Sequence, residues 1–180
     1  MQNTMLDLCK EIQSARLGYI QSDEITIICI PRNYTKNEAF YNNSVQKLLS
    51  VLVSKATKLF NMHYYKLLEY YKQTDLDGLD IVFLETYEEH LFQGEFYCRI
   101  MTVPEWDVLN CLIWRQQDAI RNGILLLAQS LFSEDELYKK KLPELKKMVE
   151  SKGYDLSTYP KERVYGSCAY VMKNDKGRNF

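Results

Sequence analysis

The sequence predicts an α+β fold, an antiparallel sheet packed by long helices in the split βαβ, ferredoxin-like layout, with the first strand missing from the chain. Three observations predict it. Two β-forming runs, Leu17-Gly18-Tyr19-Ile20 and Ile25-Thr26-Ile27-Ile28-Cys29-Ile30, flank a short acidic turn, which is the pattern of an antiparallel hairpin. Two long stretches carry apolar residues at the helical period. A further β-rich run, 95–103, lies between those stretches. The order helix, hairpin, helix, strand, long helix becomes β-α-β-β-α-β when one strand is added ahead of Met1.

The opening helix is expected from Met5, Leu8, Cys9 and Ile12, which share one face at i, i+3, i+4 and i+7. No charged leader with an apolar core and cleavage site is expected ahead of it, and no apolar stretch of the sequence reaches the roughly eighteen residues of a membrane span. After the hairpin, Pro31 to Asn37 reads as a polar loop. Val45, Leu48, Leu49, Leu52, Val53 and Ala56 then recur at helix spacing, and this helix is expected to close near Phe60-Asn61. Residues 62–93 read as an insertion, with Tyr64 to Tyr71 helical and Leu79 to Leu84 a strand. Glu95 to Val103 reads as a strand stopped by Pro104, which would open the next helix.

That helix is expected over about Glu105 to Phe132, with its apolar stripe on Val108, Leu109, Leu112, Ile113, Ile120, Ile124, Leu127 and Ala128. Trp114-Arg115-Gln116-Gln117-Asp118 crowds polar groups into its centre on more than one face, so a polar group there should point inward and need a partner. Ser133-Glu134-Asp135-Glu136 has the form of a capping box. The following helix restarts at Leu142-Pro143 and ends at Gly153. Tyr165 to Tyr170 reads as a short terminal strand, and Lys173 to Phe180 as a frayed tail. Residues 1–180 are read as one truncated domain with the insertion and a C-terminal helical and tail region, 133–180.

At 180 residues, 46% hydrophobic and 26% charged, the chain can bury a real core. Its 23 basic and 24 acidic residues leave a net charge of −1, so no global field draws it to nucleic acid or membrane, and any polyanion site must be a local patch. Five cysteines without a close pair, most of them in apolar runs, read as reduced core thiols of a cytoplasmic protein. The two histidines, His63 and His90, have no Cys or His at ligand spacing, which gives a zinc site or a histidine-based triad little support.

Chemistry is sought first at Ser22-Asp23-Glu24. Adjacent carboxylates at a hairpin tip present hard oxygen ligands suited to Mg²⁺. Ser-Asp-Glu is also ordinary turn chemistry, and its own neighbourhood leaves both readings open. Lys139, Lys140, Lys141, Lys146, Lys147 and Lys152 form the most basic stretch, which is either a solvated helical face or a phosphate contact.

Four blocks taken in order carry more information than any of them alone. They are Gly18-Tyr19-Ile20-Gln21-Ser22-Asp23-Glu24-Ile25-Thr26, then Asn43-Ser44-Val45-Gln46-Lys47 with Ser50 and Ser54, then Trp114-Arg115-Gln116-Gln117-Asp118-Ala119-Ile120-Arg121-Asn122, and Tyr165-Gly166-Ser167-Cys168. In order and approximate spacing they resemble the tRNA-His guanylyltransferase family, and the tryptophan-led block looks most like its bacterial, archaeal and phage Thg-one-like branch. The resemblance covers roughly residues 1 to 60 and 94 to 170. It implies a polymerase-palm fold and addition of a GTP-derived nucleotide to the 5′ end of tRNA in the 3′-to-5′ direction, after activation by ATP or GTP. It further implies a cytoplasmic enzyme of nucleoside triphosphates and tRNA, assembled as a homo-oligomer, commonly a tetramer in the family.

Carried over by that resemblance, Asp23 would be the metal-bridging carboxylate and Glu24 a supporting acid at a two-ion Mg²⁺ site. Ser22 and Lys47 would contact the triphosphate, the lysine as a point charge. Asn122 matches a polar position of the nucleotide-binding helix, whereas Arg115, Gln116 and Asp118 would either bind directly or brace that helix. Arg99, Arg115, Lys139 and Lys140 are candidates for tRNA phosphate. Two departures matter. The family's first strand carries Asp-Gly, and this sequence has no such segment, so the chain is expected to begin where the family's first helix is under way. Without the second carboxylate, a catalytically inactive or split fragment that retains nucleotide and tRNA binding is the alternative. Tyr97, in Phe96-Tyr97-Cys98-Arg99, also stands where the family usually has an acid that would pair with Arg99.

Overall fold

The computed structural model describes residues 1–30, 40–74, 78–174 and 177–179. Two compact units emerge, one of Met1–Gly18, Ile27–Thr102 and Ala169–Phe180, the other of Tyr19–Thr26 and Val103–Cys168. The polar loop expected at Pro31 to Asn37 lies outside the described residues. Strands β1 (Ala15–Gln21) and β2 (Glu24–Cys29) form the expected hairpin, and β3 (Ser167–Tyr170) adds to β1. They make a three-stranded antiparallel sheet in the order β2-β1-β3, within an α+β fold rich in helix. No helix among the described residues is long and apolar enough to cross a membrane.

In the first unit, α1 (Gln2–Glu11) buries Met5, Leu8 and Cys9 on one face, with Ile12 at its C-cap, as the period requires. It packs on α2, which spans Val45–Lys72. An ion pair, Lys55 to Glu11, and a 2.8 Å bond between His63 Nε2 and Asp7 clip the two helices together. The helix therefore does not close at Phe60-Asn61. It continues because Leu59 and Leu68 remain in the core and no breaker intervenes.

The described part of residues 62–93 holds the end of α2 and then α3 (Gly78–Glu89). The strand expected at Leu79 to Leu84 is helical. A β-branched run has only a weak preference of its own, and here α3 lies against α2. Tyr64 Oη donates to the Tyr87 carbonyl at 2.7 Å, and Lys72 pairs with Glu88 at 2.5 Å.

Glu95 to Val103 is likewise not a strand, for residues 93–104 form no helix or ladder. Its first backbone groups bond to side chains of α2 instead. Asn61 brackets Gly94, and the Phe96 N–H donates to Thr57 Oγ1 at 3.3 Å. At the C-terminus, β4 (Met172–Asn174) and β5 (Gly177–Asn179) pair antiparallel, Lys173 opposite Arg178, where a frayed tail was expected.

In the second unit a 3₁₀ turn at Glu105–Asp107 leads into α4 (Val108–Leu131). Only the C-terminal half of its apolar stripe is deeply covered, since Ile124 and Ala128 pack with Leu145 and Val149 of α6 (Leu142–Ser151), while Leu109 and Ile113 are exposed. The short α5 (Glu134–Leu137) begins at the expected capping box, with Glu136 accepting the Ser133 N–H at 2.9 Å. After α6, α7 (Lys161–Tyr165) leads into β3. All five cysteines are free thiols, but only Cys9 belongs to the core; Cys29 and Cys168 are exposed.

Candidate active site

β1 ends at Gln21 and β2 begins at Glu24, so Ser22 and Asp23 alone close the hairpin. Ser22 adopts a φ of 53°, the positive value that two-residue hairpins usually give to Gly, Asn or Asp. For a serine this costs on the order of 1–3 kcal/mol. The turn holds Ser22 and Asp23 exposed, and Asp23 has no hydrogen bond or ion pair among the described residues. That leaves its carboxylate available to a ligand.

Glu24 is committed. It forms an ion pair with Arg115 of α4, whose guanidinium also reaches Asp118 at 3.7 Å. The Arg115 side chain is 15% exposed against 54% for Glu24, so the pair lies half in water. Arg115, Asp118 and Asn122 fall at i, i+3 and i+7, one face of α4. Asn122 Nδ2 donates to Asp118 at 3.4 Å. The polar centre of the helix therefore supplies the inward group that its spread over several faces requires.

Three side chains strap the end of α7 to this region. Tyr19 Oη donates to the Tyr165 carbonyl at 2.7 Å, Gln116 Nε2 to the same carbonyl at 3.4 Å, and Gln21 Nε2 to the Arg163 carbonyl at 3.2 Å. Burial pushes the Tyr19 phenol above its ordinary pKa, with Arg115 opposing, so it remains a donor. Gly166 completes the strap at a φ of 79°, where an added Cβ would strike the Ile20 carbonyl and the Tyr19 ring. Sequence reasoning singled out the Tyr165-Gly166 block but not Tyr19 and Gln21 as its holders; their side chains on alternate positions of a hairpin strand were the available signal.

The other candidates have surroundings of their own. Lys47 is exposed near the start of α2, in the first unit. Arg99, also in the first unit, lies over the Tyr97 ring at 5.3 Å and donates to its hydroxyl at 3.4 Å, so the tyrosine takes the place of an acid partner. Lys139, at a φ of 57°, sets its ammonium over the Tyr138 ring at 4.9 Å, and Lys140 is exposed beside it.

No cluster of three His, Cys, Asp or Glu side chains suited to a metal occurs among the described residues. Mg²⁺ asks for near-octahedral oxygen ligation. Asp23 with a Glu24 already shared with Arg115 does not make a two-ion site, and the described residues do not fit one by themselves.

Fold and site define an α+β, palm-like domain whose acidic hairpin tip is braced by a polar helix. The chain belongs to the tRNAHis guanylyltransferase family, whose model matches residues 1–104. It is 30% identical to the uncharacterized protein R259 of Acanthamoeba polyphaga mimivirus, over 92% of this chain and 59% of that protein. A bacterial tRNA(His) guanylyltransferase (Thg1)-like protein solved with ATP superposes with a TM-score of 0.73 at 27% identity, over 98% of this chain and 68% of that one. Such a protein solved with GTP gives 0.63 at 26% identity, over 99% and 65%. The chain thus spans about three fifths of the viral relative and two thirds of the bacterial ones.

Proposed function

We propose that the protein is a nucleotidyltransferase that adds a GTP-derived nucleotide to the 5′ end of tRNA in the 3′-to-5′ direction, as tRNA-His guanylylation or 5′-end repair. The observation that carries this reading is the Asp23 carboxylate, unpaired among the described residues and set at a strained hairpin tip beside a Glu24–Arg115–Asp118 brace. Family membership and the ATP- and GTP-bound relatives support it.

In phosphoryl transfer the protein mainly positions groups and neutralises charge. Asp23 would serve the reacting phosphates as the tip's carboxylate without an ion pair among the described residues. Ser22 presents a hydroxyl and a backbone N–H to the same region, and Asn122 offers an amide on the face that Arg115 occupies. Glu24 acts as the supporting acid by holding Arg115. Lys47, Arg99, Lys139 and Lys140 are assigned to phosphate of the triphosphate or tRNA.

A second reading, a binding fragment without transferase activity, is favoured by the engagement of Glu24 with Arg115, which leaves one free carboxylate at the tip. Incubation with labelled GTP, ATP, Mg²⁺ and tRNA lacking its 5′ guanylate tests both. Label at the tRNA 5′ end, lost in Asp23→Ala, is the expected result. Nucleotide binding without incorporation would select the fragment reading.

A further inference from the structure

Gly123 lies in the middle of α4, where glycine weakens a helix relative to alanine. Nothing in the fold demands it: its φ is not positive, and a Cβ added there would meet no atom within 4 Å. Gly123 is exposed and lines a recess of about 220 Å³. Ala119, Ile120 and Gly123 of α4 line it together with Gln21, Tyr159 and Arg163. All of these residues belong to the second unit.

The recess is largely apolar, but its polar groups are specific. Gln21 spends its amide N–H on the Arg163 carbonyl, leaving Oε1 to accept, while the Arg163 guanidinium is exposed and has no ion pair among the described residues. An apolar slot edged by the Gln21 acceptor, the Tyr159 phenol and the Arg163 cation suits a flat heteroaromatic ring with polar edges. At 220 Å³ it is smaller than the roughly 300–1,000 Å³ of sites that take a whole drug-sized ligand, so it would hold a fragment of one. Gln21 is followed directly by Ser22 and Asp23, and Gly123 directly follows Asn122. Along the chain the recess thus adjoins the hairpin tip whose Asp23 is assigned to the phosphates.

We propose that this recess is a base-binding subsite that takes the purine of a nucleotide, with Gly123 kept side-chain-free so the ring can lie against α4. The assignment deepens the nucleotidyltransferase reading and rests on it for the identity of the phosphates. The same chemistry could come from a free nucleotide or from the terminal nucleotide of an RNA.

Gly123→Leu fills the recess without straining the helix. Titration of the full chain with GTP, with guanosine and with sodium tripolyphosphate is the test. GTP affinity is expected to fall by about tenfold or more in the variant. Tripolyphosphate affinity should be unchanged, and the thermal midpoint the same or higher because a helix glycine has been removed. A 5′-phosphorylated guanosine trinucleotide that loses affinity in parallel where GTP does not would assign the subsite to the RNA end.

Equal affinities of wild type and Gly123→Leu for all three guanosine ligands would overturn the proposal, as would a wild-type chain that binds none of them. Asp23→Ala separates this from the reading of the tip. Guanosine held by Asp23→Ala and lost by Gly123→Leu upholds the recess even if GTP binding shows no dependence on Asp23. Loss of GTP incorporation in Asp23→Ala with guanosine unaffected by Gly123→Leu keeps the transferase and removes the subsite.

Discussion

Arg115 of α4 is ion-paired to Glu24 at the start of β2, joining the hairpin tip to the polar face of the helix. The pair explains why Trp114-Arg115-Gln116-Gln117-Asp118 can sit mid-helix without a stranded charge. Arg115 is largely covered, its guanidinium 5.0 Å from the Trp114 ring centroid and its charge divided between Glu24 and Asp118.

Because Glu24 is more than half exposed, the pair itself should contribute little, about 0.2–1 kcal/mol in a double-mutant cycle of Glu24→Gln and Arg115→Met. Arg115→Met alone should cost more, about 1–2 kcal/mol, since it also leaves Asp118 without its cation and strips the contact with Trp114. Urea unfolding of the four proteins checks this. A coupling near zero would mean that Arg115 is held by Asp118 and not by the tip.

Asn61 stands in for a strand partner of Gly94. Its amide donates to the Gly94 carbonyl at 2.8 Å and accepts from the Gly94 N–H at 3.1 Å, while also donating to Thr57 at 2.9 Å. Asn61→Leu would leave both groups of Gly94 unpaired at a site that is 9% exposed, for an expected loss of about 2–3 kcal/mol. Asn61→Asp keeps the acceptor and loses the donor, so it should fall between wild type and leucine. A urea midpoint for Asn61→Leu within error of wild type would show that the 93–104 segment is held by other contacts.

Asp7 links acid stability to the α1–α2 contact. Burial alone would raise its carboxyl, but hydrogen bonds from Lys10 and His63 prevail and hold it below the usual carboxylate range. A group with a depressed native pKa stabilises the fold above its unfolded pKa, about 3.9, and that stability is lost as pH falls through the lower native value. The wild-type urea midpoint should therefore drop more steeply than that of Asp7→Asn from about pH 5 down to 3. Parallel acid limbs for the two proteins would exclude Asp7 as a source of acid sensitivity.

Local periodicity determined much of this protein from the sequence alone. The α1 face of Met5, Leu8 and Cys9, the hairpin that turns at Ser22-Asp23, the Ser133 capping box and the course of α4 all appear where the pattern puts them, although Glu24 opens β2 and is not part of the tip, because each depends on contacts a few residues apart. Leu79 to Leu84 and Glu95 to Val103 do not. Their β-rich composition describes how side chains fit a pleated surface, and whether such a surface exists beside them is a tertiary matter. For the first, α2 offered a helix to pack on; for the second, Asn61 and Thr57 offered side-chain partners in place of a ladder.

The site divides the same way. Its acidic tip and polar helix were legible as residues in order. That Glu24 is spent on Arg115 while Asp23 has no partner among the described residues, and that Gln21, Gly123 and Arg163 meet around one recess, were decided only by folding, since partner choice between distant side chains leaves no local period to read.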